Sequence, residues 1–69
     1  MVEVFKTNVQ TDEQAEHLLI ILSETFPGLK MNFDLEDCDK ILRAEGGFIE
    51  TQEIMQLLLK YQYECQLVE

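Results

Sequence analysis

The clearest hydrophobic pattern in the chain is the spacing of an amphipathic helix from Ala15 onwards. Apolar residues recur at intervals of three and four positions, so one stripe of this helix is predicted to face a core until Pro27-Gly28 ends it. Thr11 precedes the stripe, and Gln14 stands three positions after Thr11 with two acids between them. This is the sequence of a capping box, so we expect the helix to begin at Thr11.

The first segment, residues 1–9, is rich in β-branched and aromatic side chains and is predicted to be a strand. Its alternation is imperfect, because Val2 and Val4 lie in one phase while Phe5 and Val9 lie in the other. The pattern therefore leaves open which set faces inward.

Three further segments have an extended pattern. Apolar and polar positions alternate at 31–35, an acidic turn follows at 36–39, and 40–45 is again extended, which predicts a hairpin. A second helical pattern runs for about ten residues from Glu50. Residues 63–68 then alternate once more, as expected of a last strand.

The element order β-α-β-β-α-β predicts an α+β fold of the ferredoxin-like type, with a four-stranded antiparallel sheet and both helices on one face. In that topology the first strand–helix loop, the hairpin and the loop after the second helix end on the same edge of the molecule. We therefore expect residues 10–13, 36–39 and 61–62 to be neighbours in space.

Composition narrows the class of protein. The chain has 69 residues, 46% of them hydrophobic, and its 14 acidic and 5 basic side chains give a net charge of −9. It is predicted to form a single folded domain over 1–69, too apolar for disorder and without a membrane-spanning run. The negative charge disfavours nucleic acid and anionic membranes as partners. The first residues do not have the pattern of an export signal, so we expect a soluble cytoplasmic protein.

The cysteines, Cys38 and Cys65, do not have metal-site spacing and are expected to be free thiols. A ferredoxin-like strand order separates Cys65 from the hairpin by at least two interstrand steps of about 4.8 Å, which argues against a disulfide or a shared metal. We expect Cys65 to be a core residue. For Cys38, an exposed turn thiol is favoured over a ligand for a soft metal.

Three segments resemble those of a known family: FKTNVQ at 5–10, DKIL at 39–42 and YECQLV at 63–68. They are similar to the run before the Cys-x-x-Cys loop, the third strand and the closing strand of heavy-metal-associated domains of copper-chaperone type, in a bacterial subset of that family. The resemblance covers almost the whole chain and implies a β-α-β-β-α-β domain connected with metal homeostasis.

The chain departs from this family at its metal site. Thr11 and Gln14 stand at the two positions where the family has thiolates. Neutral hydroxyl and amide oxygens are poor ligands for Cu(I) or zinc, so neither metal binding nor any cofactor is carried over. Gln62 stands where the family commonly has glycine before its last strand, which leaves the conformation of that turn open.

Several acidic residues are the remaining candidates for metal binding. A hard cation such as Ca²⁺ could be held by oxygen ligands where the hairpin meets the first helix, but the spacing is unlike an EF-hand loop. We favour a solvated acidic surface. The candidates, besides Cys38, are Asp12, Glu13, Glu36, Asp37 and Asp39.

Other side chains suggest contact with a partner rather than catalysis. Ile20 and Ile21 lie off the main apolar stripe of the first helix, and one of them is expected to fill the seam between the helices. If the other is exposed, it would belong to an apolar patch suited to a partner, an alternative that we favour less than packing in the seam alone. Gln10 lies on the edge where the family has its metal site, and it is a further candidate for contact with a partner. His17, the single histidine, falls opposite the stripe and is expected to be an exposed helix residue, so no enzyme is predicted.

The sequence thus leads to two hypotheses. The first is a non-enzymatic binding module that contacts another protein or a second copy of itself. The second is a metal carrier with a weak oxygen-rich site, or one assisted by Cys38, on the same edge.

Overall fold

The structure, a computed structural model, describes residues 1–68. Glu69, the last residue of the predicted domain, lies outside the described residues. The elements are β1 (Val2–Thr7), α1 (Asp12–Thr25), β2 (Lys30–Asp34), β3 (Ile41–Glu45), α2 (Thr51–Lys60) and β4 (Cys65–Leu67). The strand order of the antiparallel sheet is β2-β3-β1-β4. Read from the other edge this is 4-1-3-2, so the predicted ferredoxin-like α+β arrangement is confirmed.

The core lies between the sheet and the two helices. Phe5 is fully buried and stands in register with Leu42 of β3 and Leu67 of β4. Phe5 and Val9 are therefore the inward set of the first segment, while Val2 is exposed. The buried hydrophobic residues are Phe5, Val9, Ala15, Leu18, Leu22, Leu42, Ala44, Ile49, Ile54 and Leu58.

Strands β1 and β4 are both shorter than the alternation predicts. The amide of Glu64 donates to the Asn8 side chain (2.8 Å), so the regular ladder between them ends here. The amide of Tyr63 donates to the carbonyl of Leu58 at 2.9 Å, so this amide bonds to the end of α2 and not to a strand. Backbone groups at the end of the first predicted strand and at the start of the last one are thus used by the loops.

The end of α2 is a Schellman motif with glutamine at the position that usually holds glycine. The amide of Gln62 donates to the carbonyl of Leu59 (2.8 Å), inside the longer bond from Tyr63 to Leu58. Gln62 has φ 71°, in the left-handed region. The turn after α2 is therefore of the type that glycine usually forms, here made with glutamine.

Replacing Gln62 by glycine is expected to stabilise the protein by about 0.5–1 kcal/mol. The left-handed backbone costs a residue with a Cβ about 1–2 kcal/mol, and the greater freedom of glycine in the unfolded chain offsets part of that gain. Urea unfolding followed by circular dichroism measures the difference. Gln66→Gly, in β4 and outside any positive-φ position, is the matched control and should destabilise. Unchanged or lower stability of Gln62→Gly would contradict the strained turn.

Within residues 1–68, neither helix has the length and apolar character needed to cross a membrane.

Candidate functional site

Three loops meet at one end of the sheet, which we call the loop edge. The amide of Thr7 donates to the carbonyl of Asp39 (3.2 Å), and the Thr7 hydroxyl donates to the carbonyl of Lys40 (2.6 Å). The amide of Asn8 donates to the carbonyl of Glu64 (3.3 Å). These bonds connect the end of β1 to the hairpin and the β1–α1 loop to the α2–β4 loop, so the three loops lie at one edge, as the topology predicts. The loops are residues 8–11, 35–40 and 61–64.

The first turn of α1 is closed by the predicted capping box. The Thr11 hydroxyl accepts the amide of Gln14 at 3.1 Å. The side-chain oxygen of Gln14 accepts the amides of Thr11 (3.3 Å) and Gln10 (2.9 Å). Because these side chains satisfy amides that a helix start leaves free, Thr11 and Gln14 are both engaged with the backbone.

The acidic candidates are not gathered into one site. Asp37, Cys38 and Asp39 are exposed at the hairpin tip, with one potential ligand atom from each lying within 4.8 Å of the others. Asp37 also accepts the amide of Asp39 (2.8 Å), a local turn bond. Asp12 and Glu36 are not in this cluster within the described part of the chain. They line a groove between α1 and β2 instead.

The two cysteines are free, as expected, and lie in different surroundings. Cys38 is exposed, whereas Cys65 is half-buried and packs against the core from β4. Burial penalises the thiolate and raises the pKa of Cys65 from the ordinary 9.0 to about 12. Cys65 is therefore a packing residue with low nucleophilicity at neutral pH.

Iodoacetamide at pH 8 is expected to modify Cys38 readily. Cys65 should react about 30 to 60 times more slowly in the native protein than in the denatured chain. The raised pKa lowers the thiolate fraction of Cys65 about a thousandfold, and the greater basicity of that thiolate recovers part of the rate. Timed quenching and peptide mass spectrometry measure both rates, and urea supplies the control. Equal labelling of both thiols in the native protein would contradict the packing of Cys65.

The remaining candidates lie on the helices. His17 is exposed, as predicted, and its ring meets that of Tyr61 edge to face with the centroids 6.3 Å apart. Ile20 is 60% exposed, whereas Ile21 is half-buried. On α2, Leu59 is 68% exposed. These two exposed side chains are apolar surface on the helical layer.

A groove lies between α1 and the free edge of β2, and we call it the acidic groove. The sequence pattern does not predict it. Its volume is about 680 Å³. Apolar side chains line it from both elements: Ala15, Leu19, Phe33 and Leu35. Four acidic residues also line it: Asp12 and Glu16 on α1, and Asp34 and Glu36 at the end of β2, where the Asp34 carboxylate accepts the amide of Glu36 (3.2 Å).

The acidic groove left only a partial signal in the sequence. Asp12 and Glu16 are four residues apart on α1, which puts them on one helix face. Asp34 and Glu36 are two apart at the end of β2, which gives them one strand phase. Joining the pairs requires the knowledge that β2 is an edge strand beside α1, which no local pattern supplies.

The observed architecture is the one that the heavy-metal-associated resemblance implies, with the capped helix start at the loop edge. A ferredoxin-like fold serves many unrelated functions, so the architecture alone does not identify a family. No protein-family model, curated protein or solved structure matches this chain.

Proposed function

We propose that this chain is a non-enzymatic binding module of the heavy-metal-associated type, in which a helix cap has replaced the metal site. It acts by contacting another protein through the loop edge, in connection with metal homeostasis. The observation that carries the proposal is the capping box, in which Thr11 and Gln14 bond to backbone amides.

The chemistry of the cap supports a role without bound metal. Soft metals select thiolates, and a hydroxyl and an amide oxygen offer neither the charge nor the polarisability that Cu(I) requires. Turning these side chains towards an ion would also break the cap, at a cost of about 1 kcal/mol. The loop edge is left as a polar surface whose shape is fixed by bonds between its three loops.

A metal carrier is the second candidate, favoured by the tip cluster of Asp37, Cys38 and Asp39. The cluster offers three potential ligand atoms, all from exposed residues. Calcium takes six to eight oxygen ligands in proteins, so the cluster by itself falls short of a calcium site. Metal binding by this cluster would be weak, and comparison with a variant that lacks its carboxylates would measure it.

Thermal unfolding with and without added Cu(I), Zn²⁺ or Ca²⁺ separates the two candidates. The proposed function predicts an unchanged melting temperature with each ion. An ion at 100 times its dissociation constant would stabilise the folded state by about 2.7 kcal/mol, or about 10 °C or more in a domain of this size. Such a shift, abolished in Asp37→Asn/Asp39→Asn, would establish the carrier and overturn the binding module as stated.

Site-specific photo-cross-linking tests the protein contact. A cross-linker attached to Cys38 samples the loop edge, because this thiol is exposed at the hairpin tip. The matched control carries the same group on Glu24→Cys in a Cys38→Ser background, at the opposite end of α1. In an extract of the source cells, a specific partner should be captured from Cys38 and not from position 24. Equal capture from both positions, or none, would contradict contact through the loop edge.

A further inference from the structure

We propose that the acidic groove binds a lysine- or arginine-rich segment of a partner protein, in extended conformation, as an additional strand beside β2. This inference rests on the proposed function to the extent that the chain is a protein-binding module. It adds the location and the chemistry of the bound segment, and it places that segment on the groove rather than on the hairpin tip.

The backbone at the edge of β2 is free to pair. The Gly46 amide donates to the carbonyl of Met1, and the Gly46 carbonyl accepts a hydrogen bond from the Met1 ammonium, so this pair is doubly hydrogen-bonded. Backbone groups alternate in direction along antiparallel strands, so Ala44 and Leu42 also bond to β1, and the residues between them bond to β2. By the same alternation, every second residue of β2 directs its N–H and C=O away from the sheet. These residues are Met31 and Phe33.

The groove beside this edge matches one kind of peptide. Its apolar lining accepts every second side chain of an extended segment, and its four carboxylates attract basic groups. None of the four is in an ion pair, since the salt bridge found in residues 1–68 joins Arg43 and Glu45. Lys30 of β2 has the same strand phase as Asp34, but it stands at the opposite end of the strand and is not among the residues that line the groove. Lys40 is not among the lining residues either, and its ammonium donates to the Leu35 carbonyl at 3.0 Å.

One other occupant of this groove and one other groove fit less well. A second copy pairing through β2 would bring the same carboxylates face to face, and like charges in close apposition are unfavourable. The groove between α2 and β4, also next to an edge strand, is smaller at about 390 Å³, and its lining carries a single carboxylate, Glu64. Charge complementarity therefore favours a basic segment at β2.

The direct test uses a capped seven-residue peptide of alternating lysine and valine, titrated into the ¹⁵N-labelled chain. We expect the largest changes in amide chemical shift along β2 and the first half of α1. We also expect slower hydrogen exchange of the Met31 and Phe33 amides, because a new strand would cover them. A peptide with glutamate in place of lysine should not bind. A basic peptide that binds without protecting these amides would overturn strand addition.

Matched charge variants test the location. Glu16→Gln/Glu36→Gln removes two groove carboxylates and is expected to weaken binding about tenfold, as two exposed charge pairs allow. Glu24→Gln/Glu64→Gln makes the same change in net charge outside the groove and should have little effect. Equal weakening by both variants, no binding at millimolar peptide, or shifts confined to the β4 edge would each overturn the proposal.

These outcomes remain separate from those of the proposed function. The metal titration and the cross-link from Cys38 report on the loop edge and do not involve a basic peptide. Partner capture from Cys38 together with a failed peptide titration would overturn the groove proposal alone. Sedimentation of the labelled chain also tests which molecule occupies the groove. A β2-mediated dimer that the peptide displaces would assign the groove to a second copy and overturn the proposal of a basic partner.

Discussion

Replacement of Phe5 by alanine is expected to remove a large part of the protein's stability at 25 °C. Phe5 is fully buried on the central strand β1, in register with Leu42 on one side and Leu67 on the other. Truncating a buried phenylalanine to alanine costs about 3–5 kcal/mol, through lost apolar burial and the cavity left behind. A chain of 69 residues has a total stability of about 3–10 kcal/mol, so this loss removes much or all of it.

Urea unfolding monitored by circular dichroism gives the measurement for Phe5→Ala. Val2→Ala, on the same strand but exposed, is the matched control and should change stability by no more than about 0.5 kcal/mol. Phe5→Leu keeps most of the apolar volume and should fall between the two. A loss below 1 kcal/mol in Phe5→Ala would contradict the assignment of this side chain to the centre of the core.

The features that the sequence predicts most sharply are those decided by neighbouring residues. The start of α1 depends on a hydroxyl and an amide three positions apart, and the structure contains both reciprocal bonds between Thr11 and Gln14. The hairpin and the element order likewise follow from local alternation and turn chemistry. Local rules also predict that Cys38 and Cys65 stay apart, once the strand order is assumed.

Features decided by distant segments are less accessible from the sequence. Val2 and Phe5 are both good strand residues, and only pairing with β3 beneath the helices decides that Phe5 is inside. The late start of β4 depends on Tyr63 bonding back to Leu58 across the end of α2. The acidic groove combines carboxylates from two segments more than a helix length apart in sequence, so its charge pattern exists only after folding.

The double substitution Thr11→Cys/Gln14→Cys is expected to create a Cu(I) site. If the resemblance to heavy-metal-associated domains reflects the same loop and helix start, the two new thiols restore the Cys-x-x-Cys pair at the loop edge. Thiolates are the ligands that Cu(I) selects, and the positive end of α1 favours their ionisation. Without metal, loss of the capping box should destabilise the variant by about 1 kcal/mol.

Thermal unfolding in a Cys38→Ser background measures the gain from the two new thiols alone. With free Cu(I) at 1,000 times the dissociation constant, the folded state is stabilised by about 4 kcal/mol, or about 15 °C or more for a domain of this size. The matched control, Glu13→Cys/Glu16→Cys, has the same spacing on the exposed surface of α1, beyond the loop. Stronger stabilisation of the Thr11/Gln14 variant supports a metal-binding ancestry for this edge. Equal stabilisation of the two variants would mean that the loop has no special fit for a metal, and the resemblance would then be limited to the fold.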